Sequence, residues 1–270
     1  EQNLAAFAWG RAAVAAPEVV REALAGVSHD VRAEELDGVA AEIVEATGAA
    51  GELRRLLEIR VPDLIAYQDV ALAGRYAEQV MEVARAEERR GAPGETAIAE
   101  AYARNLYKLL AYKDEYEVAR LHLDAVEAAK VDATFGDGAK VYVMLHPPLL
   151  RAMGLKRKIK LRRTAQATFR MLRAMRGLRG TRLDVFGLPK VRRVERALPG
   201  EYQALVERSL ERLTPVTHAT VAEIAELPDV VRGYEDIKLA NVEKYREQAA
   251  QLEARLAAGA QSGGFTLPQS

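Results

Sequence analysis

The chain of 270 residues contains no cysteine. Disulfides, thiol nucleophiles, thiolate zinc sites and thiolate-held iron–sulfur clusters are therefore closed to it. Asparagine occurs only at Asn3, Asn105 and Asn241, and tryptophan once. No run of about 18 apolar residues is present, so nothing reads as a bilayer-spanning helix. There is no G-x-G-x-x-G, no Walker loop and no G-x-S-x-G, which leaves the chain without a glycine cradle for phosphate or a nucleophile elbow. The four histidines, His29, His122, His146 and His218, show none of the spacings by which a single element chelates a metal. Glu1 is followed by no Lys/Arg-plus-apolar leader, so a cytoplasmic location is expected, and the missing initial methionine suggests a processed chain or a piece of a longer one.

What is present is mostly helical periodicity. Apolar residues recur at helical spacing through Leu4 to Val14, through Leu36, Val39, Ile43 and Val44, and through Leu64, Tyr67, Leu72, Tyr76, Val80 and Val83. The segment 53–59 leads to Pro62, where a helix should stop, and a long period follows from 63 to 89. "GAPGE" at 91–95 ends that period, and Thr96 is placed to cap a helix over 96–124. The stretch 191–213 reads as a long helix offset at Pro199. "KVYVML" from Lys140, bounded by "FGDG" and "HPP", reads as a short strand whose partner is either "IKLRR" at 159–163 or a strand from another domain. The expected fold is mainly α, a multi-helix domain with a small hairpin-like β element around residues 140–163. Residues 1–258 are read as a single helical domain, with 91–95 or 136–163 as places for a subdivision, and 259–270 as a disordered tail.

"LYKLLAYKDEYEVARL" at 106–121 concentrates charge and tyrosine on the predicted central helix. Lys113 and Glu117 stand four apart, as do Lys108 and Tyr112, and Tyr112 and Tyr116. A catalytic reading would pair Lys113 or Tyr112 with Asp114 or Glu115 as acid and base. Successive helix residues diverge by about 100°, however, so Lys113 and Asp114 do not easily address one substrate. The stretch is read instead as a polar seam joining helices, formed by Asn105, Lys108, Tyr112, Lys113, Asp114, Glu115 and Tyr116. No catalytic residue, cofactor ligand or metal ligand is assigned.

Lys+Arg and Asp+Glu balance at 39 each, but unevenly along the chain. Residues 1–150 carry 16 basic and 26 acidic side chains, residues 151–196 carry 16 and 2, and residues 197–270 carry 7 and 11. The basic block admits three uses: pairing with the acidic half or a parent subunit, docking an anion or a protein domain, and tracking a nucleic acid backbone. Its two phenylalanines offer little surface for base stacking, which disfavours nucleic acid. Arg157, Lys158, Arg162, Arg163, Arg192 and Arg193 are the docking candidates.

Five segments in order, "NLYKLLAYKDEYEVARL", "KVYVMLHPPLLRAMG", "FRMLRAMRGLRGTRLDVFG", "RRVERALPGEYQALVERSLERLTP" and "LPDVVRGYEDIKLANVEKYR", resemble the C-terminal region of the fused indolepyruvate ferredoxin oxidoreductases. The resemblance runs from near Asn3 to about Tyr245. It implies a parent 2-oxo-acid:ferredoxin oxidoreductase that uses thiamine diphosphate, Mg and [4Fe–4S] clusters to turn aryl-2-oxo acids into acyl-coenzyme A. It also implies that this chain is a non-catalytic accessory or assembly domain holding no cofactor itself. Its implied partners are the parent's catalytic domains, and ferredoxin or coenzyme A, in a dimeric enzyme. The lack of cysteine accords with that division, as does the thiamine pattern: Gly136-Asp137-Gly138 lacks the following asparagine. Where relatives carry a Gly-Pro-Trp segment before "FRML", this chain has "IKLRRTAQAT". The alternative is a stand-alone helical module that binds anions or nucleic acid through 151–196.

Overall fold

A computed structural model of the chain describes residues 38–123 and 166–262, the strands 142–145 and 159–162, and isolated helical positions at Phe7, Arg11, Val14, Ala15 and Glu18. The chain divides into two compact units, Glu1–Gly38 and Val39–Ser270. Among the described residues of the second unit the fold is mainly helical. Its helices are α1 (Gly38–Thr47), α2 (Gly51–Tyr67), α3 (Val70–Arg90), α4 (Ala97–Leu110), α5 (Glu115–His122), α6 (Gln166–Ala174), α7 (Lys190–Glu211), α8 (His218–Glu226) and α9 (Glu235–Ser262). Two short strands, β1 (Tyr142–Leu145) and β2 (Ile159–Arg162), pair antiparallel with Tyr142 opposite Arg162 and Leu145 opposite Ile159.

Helix α4 is the hub and packs against α2, α3, α7 and α8. Its sequence explains why: Ala99, Ala101 and Ala103 are fully buried and short, so neighbouring backbones approach closely, while Ile98 and Leu106 fill the space between. Opposite them lie Leu57, Val61 and Leu64 of α2, Tyr76 and Val80 of α3, and Leu198 and Tyr202 of α7. The buried Tyr76 donates to the Ala103 carbonyl at 2.9 Å and the buried Tyr202 to the Ala225 carbonyl at 2.7 Å.

Helix boundaries differ from the periodicity reading in four places. Pro62 lies inside α2, which continues because Val61, Leu64 and Tyr67 share one buried face. Pro199 likewise lies inside α7. Thr96 makes no side-chain bond to the backbone of α4; its hydroxyl donates to Glu100 Oε1 at 2.8 Å. The first N–H groups of α4 are met from another helix, Ile98 N and Ala99 N donating to the two oxygens of Glu87 at 3.0 and 2.8 Å. Finally, α9 runs on to Ser262, so residues 259–262 are helical and not part of a tail.

A further difference matters most for the site. The predicted helix over 96–124 is two helices, α4 and α5, separated by Ala111–Asp114. Asp114 starts the second one: its Oδ1 accepts from Glu117 N at 2.8 Å. Three residues of the presumed seam, Tyr112, Lys113 and Asp114, thus sit in an interhelical turn. Their directions are therefore set by the turn and not by the about 100° step of a continuous helix.

Candidate functional site: an ion-paired turn and the cavity beside it

The turn is clamped by residues 65 to 84 positions further along. Arg179 grips Asp114 with two bonds, Nε to Oδ2 at 2.5 Å and Nη2 to Oδ1 at 2.9 Å, and gives its third nitrogen to the Tyr67 carbonyl at 2.7 Å. Its guanidinium also lies 3.7 Å from the centre of the Tyr67 ring. Both charged partners are buried, with side chains 5% and 3% exposed. Such a pair persists in low dielectric because each guanidinium nitrogen and each carboxylate oxygen has a partner.

A second clamp runs through Asp184. Its carboxylate accepts from Tyr116 Oη at 3.1 Å, from Gly180 N at 3.0 Å and from Phe186 N at 3.2 Å, and pairs with Arg196 Nη2. Arg196 Nε donates to Tyr112 Oη at 3.1 Å. Gly187 makes room for this: a Cβ there would lie 2.0 Å from Arg196 Nη1. Burial pushes the Tyr112 and Tyr116 phenols above their ordinary range, so both stay neutral hydrogen-bonding groups.

Asn105 and Lys108 bind elsewhere, at the end of α8. Asn105 Nδ2 donates to the Ala101 and Ala225 carbonyls at 3.0 Å each, and Lys108 Nζ to the Pro228 carbonyl at 3.0 Å and the Asp229 carbonyl at 3.1 Å. A cation at the carbonyl end of a helix is favoured by the helix dipole. Burial pulls the Lys108 pKa down, against the opposing pull of Asp229. Of the predicted seam, Lys113 alone is exposed and has no ion-pair partner among the described residues.

Beside the turn lies a cavity of about 680 Å³, bounded by the end of α4, the 111–115 turn, α5, α6, the start of α7 and the 231–238 segment. Its polar wall is Glu115, Arg192, Glu195 and Lys238. Arg192 Nη1 donates to Glu195 Oε2 at 2.7 Å, and Lys238 Nζ to Glu195 Oε1 at 2.5 Å. Glu115 reaches Arg192 only at 3.4 Å, through Oε2. Glu115 Oε1 and Arg192 Nε are buried without a partner among the described residues. Burial drives the Glu115 pKa up, and Asp114 and Glu195 add to this while Arg192 opposes it. At the rim, Glu235 opens α9 at φ 51°, in the left-handed region, just after Gly233 at φ 94°.

Arg192 is a buried wall residue, 8% exposed, and not a surface cation; Arg193 is exposed. Arg162 belongs to β2, opposite Tyr142, and Arg157, Lys158 and Arg163 lie outside the described residues, as do His29, His146 and the 136–138 segment. Within the described part of the basic block, Arg176, Arg179, Arg192 and Arg196 are engaged inside the chain. Of the remaining histidines, His122 packs on Phe169 with ring centres 5.3 Å apart and His218 Nε2 lies 2.7 Å from Glu87 Oε1. No cluster of three or more His, Asp or Glu suited to a metal occurs among the described residues. No helix among them is long and apolar enough to cross a membrane.

Glu195 and Lys238 of the cavity wall carried no flag in the sequence. Glu87 had a faint one, standing four residues after Val83 and seven after Val80 on the buried face of α3.

The fold and site together define a mainly helical domain organised around an ion-paired turn with an apolar cavity at its side. The chain belongs to the DUF6537 family, a family of unknown function, whose family model matches residues 53–251. No curated protein and no solved structure matches the chain.

Proposed function

We propose that the chain is a non-catalytic accessory or assembly domain of an indolepyruvate-type 2-oxo-acid:ferredoxin oxidoreductase, located in the cytoplasm. One observation supports this reading above others. Two of the segments that carry the resemblance, 105–121 and 169–187, clasp one another through Asp114–Arg179 and Tyr116–Asp184. Their charged and phenolic groups are spent on holding a shape, which is what a structural domain requires of them. The parent's cofactors do not fit this chain: without cysteine it offers no thiolates to a [4Fe–4S] cluster, and its Gly-Asp-Gly lacks the downstream asparagine of a thiamine–magnesium site. Its partners on this reading are the parent's catalytic domains, with ferredoxin or coenzyme A approaching the assembled dimer.

The test is to tag the protein in its native cells and purify it. Iron, acid-labile sulfide and thiamine diphosphate should co-purify in fixed ratio, with ferredoxin reduction that depends on an aryl-2-oxo acid and coenzyme A. The chain produced alone should show no such activity. A native preparation free of all three cofactors overturns the parentage, and activity from the chain alone overturns its accessory role.

A further inference from the structure

The cavity beside the turn is built for a ligand of a kind that its internal contacts leave unserved. An arginine guanidinium presents two edges, and a carboxylate or phosphate docks best across one edge with two parallel bonds. In Arg192 the Nη1 end is taken by Glu195 at 2.7 Å. The Nε–Nη2 edge is under-used: Nε has no partner, and Nη2 meets Glu115 only at 3.4 Å. Glu115 is poorly placed to do better. It is the first residue of α5, and Asp114 before it is held by both the Glu117 N–H and Arg179.

Charge at this end selects the ligand's head. Lys108, Lys113, Arg192, Arg232 and Lys238 line the cavity together with Asp114, Glu115, Glu195 and Glu235, a surplus of one positive charge. A monoanion balances it. A dianionic phosphate would bring extra charge against the lining carboxylates, and a cationic head would add to the positive surplus. The remainder of the wall is apolar, with Leu109, Val118, Leu172, Leu198 and Val231 along the same cavity, and its volume of about 680 Å³ lies in the range of small-molecule sites.

We propose that the cavity binds an aliphatic monocarboxylate, its carboxylate taking the Nε–Nη2 edge of Arg192 in place of Glu115 and its chain lying against Leu109, Leu172 and Leu198. Glu115 and Arg192 are each about nine-tenths shielded, so Glu115 must swing aside as the ligand seats. The displacement is cheap in electrostatic terms, because burial already disfavours the Glu115 charge. Nothing in this inference depends on the parentage proposed above.

Calorimetric titration of the purified chain with saturated eight- to fourteen-carbon carboxylates, kept below micelle formation, tests it. Affinity should climb about fourfold per methylene, the free energy of burying one such group, and level off once the cavity is full. Alcohol, ammonium and phosphate analogues of the same chain length should bind about tenfold more weakly or worse. Arg192→Leu should lose at least as much, whereas Glu115→Gln should bind at least as well as the wild type. Leu172→Trp, which fills the cavity from its apolar side, should abolish binding while the melting transition stays cooperative. Equal affinity for carboxylate, alcohol and ammonium heads in the unaltered protein overturns the proposal, as does undiminished binding by a folded Leu172→Trp. The head-group comparison uses no variant, so it decides the matter even where Arg192→Leu fails to fold.

Discussion

Glu87 sits where α3, α4 and α8 meet, and Glu115 sits in the cavity wall between α5 and α7. Both are glutamates carried inside the molecule, their side chains 1% and 10% exposed. Glu87 is saturated: Oε1 accepts from Ile98 N and lies 2.7 Å from His218 Nε2, while Oε2 accepts from Ala99 N. Glu115 has one long contact and one oxygen with none. A buried carboxylate that completes the first turn of one helix and ties down another is part of the frame. One left half-bonded beside an empty volume is held there by its neighbours at some cost, and marks where a ligand can do better than the protein does.

The comparison is broken most sharply at Glu87. Glu87→Ala should lower unfolding free energy by about 3–5 kcal/mol, because it strands two buried N–H groups at the start of α4 as well as the His218 ring. Urea denaturation followed by circular dichroism measures this. A loss under about 1 kcal/mol would mean that water or a shifted neighbour replaces the carboxylate, and the distinction between frame and site would go with it.

The turn lies between these extremes, since its groups are satisfied but its packing is shared with the cavity. Tyr112→Ala should cost about 2–4 kcal/mol through lost ring packing and an Arg196 nitrogen left without its acceptor. The ring also meets Tyr67 edge-on, with centroids 6.4 Å apart. Gly187→Ala probes the neighbouring clamp. Its new methyl would overlap the Arg196 guanidinium, and moving that group breaks its hold on Asp184 and Tyr112 together. A loss of about 1–3 kcal/mol is expected. The double variant Gly187→Ala/Arg196→Ala should recover part of the Gly187→Ala deficit when each is compared with its own parent. Strict additivity in that cycle places the strain elsewhere.

Much of the frame was legible in the sequence. The aromatic and aliphatic stripe of Ile98, Tyr102, Leu106, Leu109 and Leu110 marked the helix from Thr96 as the central one. The break after Leu110 was not read, for no glycine or proline marks it. A signal was nonetheless there: Asp114 followed three residues later by Glu117 is the spacing of a helix start, and Asp114 does cap α5. Thr96 misled in the opposite sense, as its position suits a cap that Glu87 supplies from another helix. The seam residues were found because tyrosine and charge clustered locally. Their partners, Arg179, Asp184 and Arg196, stand 65 to 84 residues away and are placed by tertiary packing, which periodicity does not report. The cavity depends on the same packing and left no local trace in the chain.

The smallest expected effect has the opposite sign, and it sharpens the contrast further. Glu115→Gln keeps the side chain's shape and removes the charge that burial penalises. Stability near neutral pH should stay within about 1 kcal/mol of the wild type or rise. The pH dependence carries the diagnosis. Burial raises the Glu115 pKa above its ordinary value of 4.5, so the folded protein holds this proton more tightly than the unfolded chain does. The stabilisation that this provides is complete below the unfolded value and is lost as pH climbs from there through the raised folded value. The wild type should therefore decline relative to Glu115→Gln between pH 4 and neutrality, other groups cancelling in the difference. Urea midpoints of both proteins at unit steps across that range give the curve directly. A difference that stays flat, or that grows in favour of the wild type as pH rises, would show Glu115 to be a fully bonded carboxylate in the manner of Glu87, and Arg192 to have no free edge to offer.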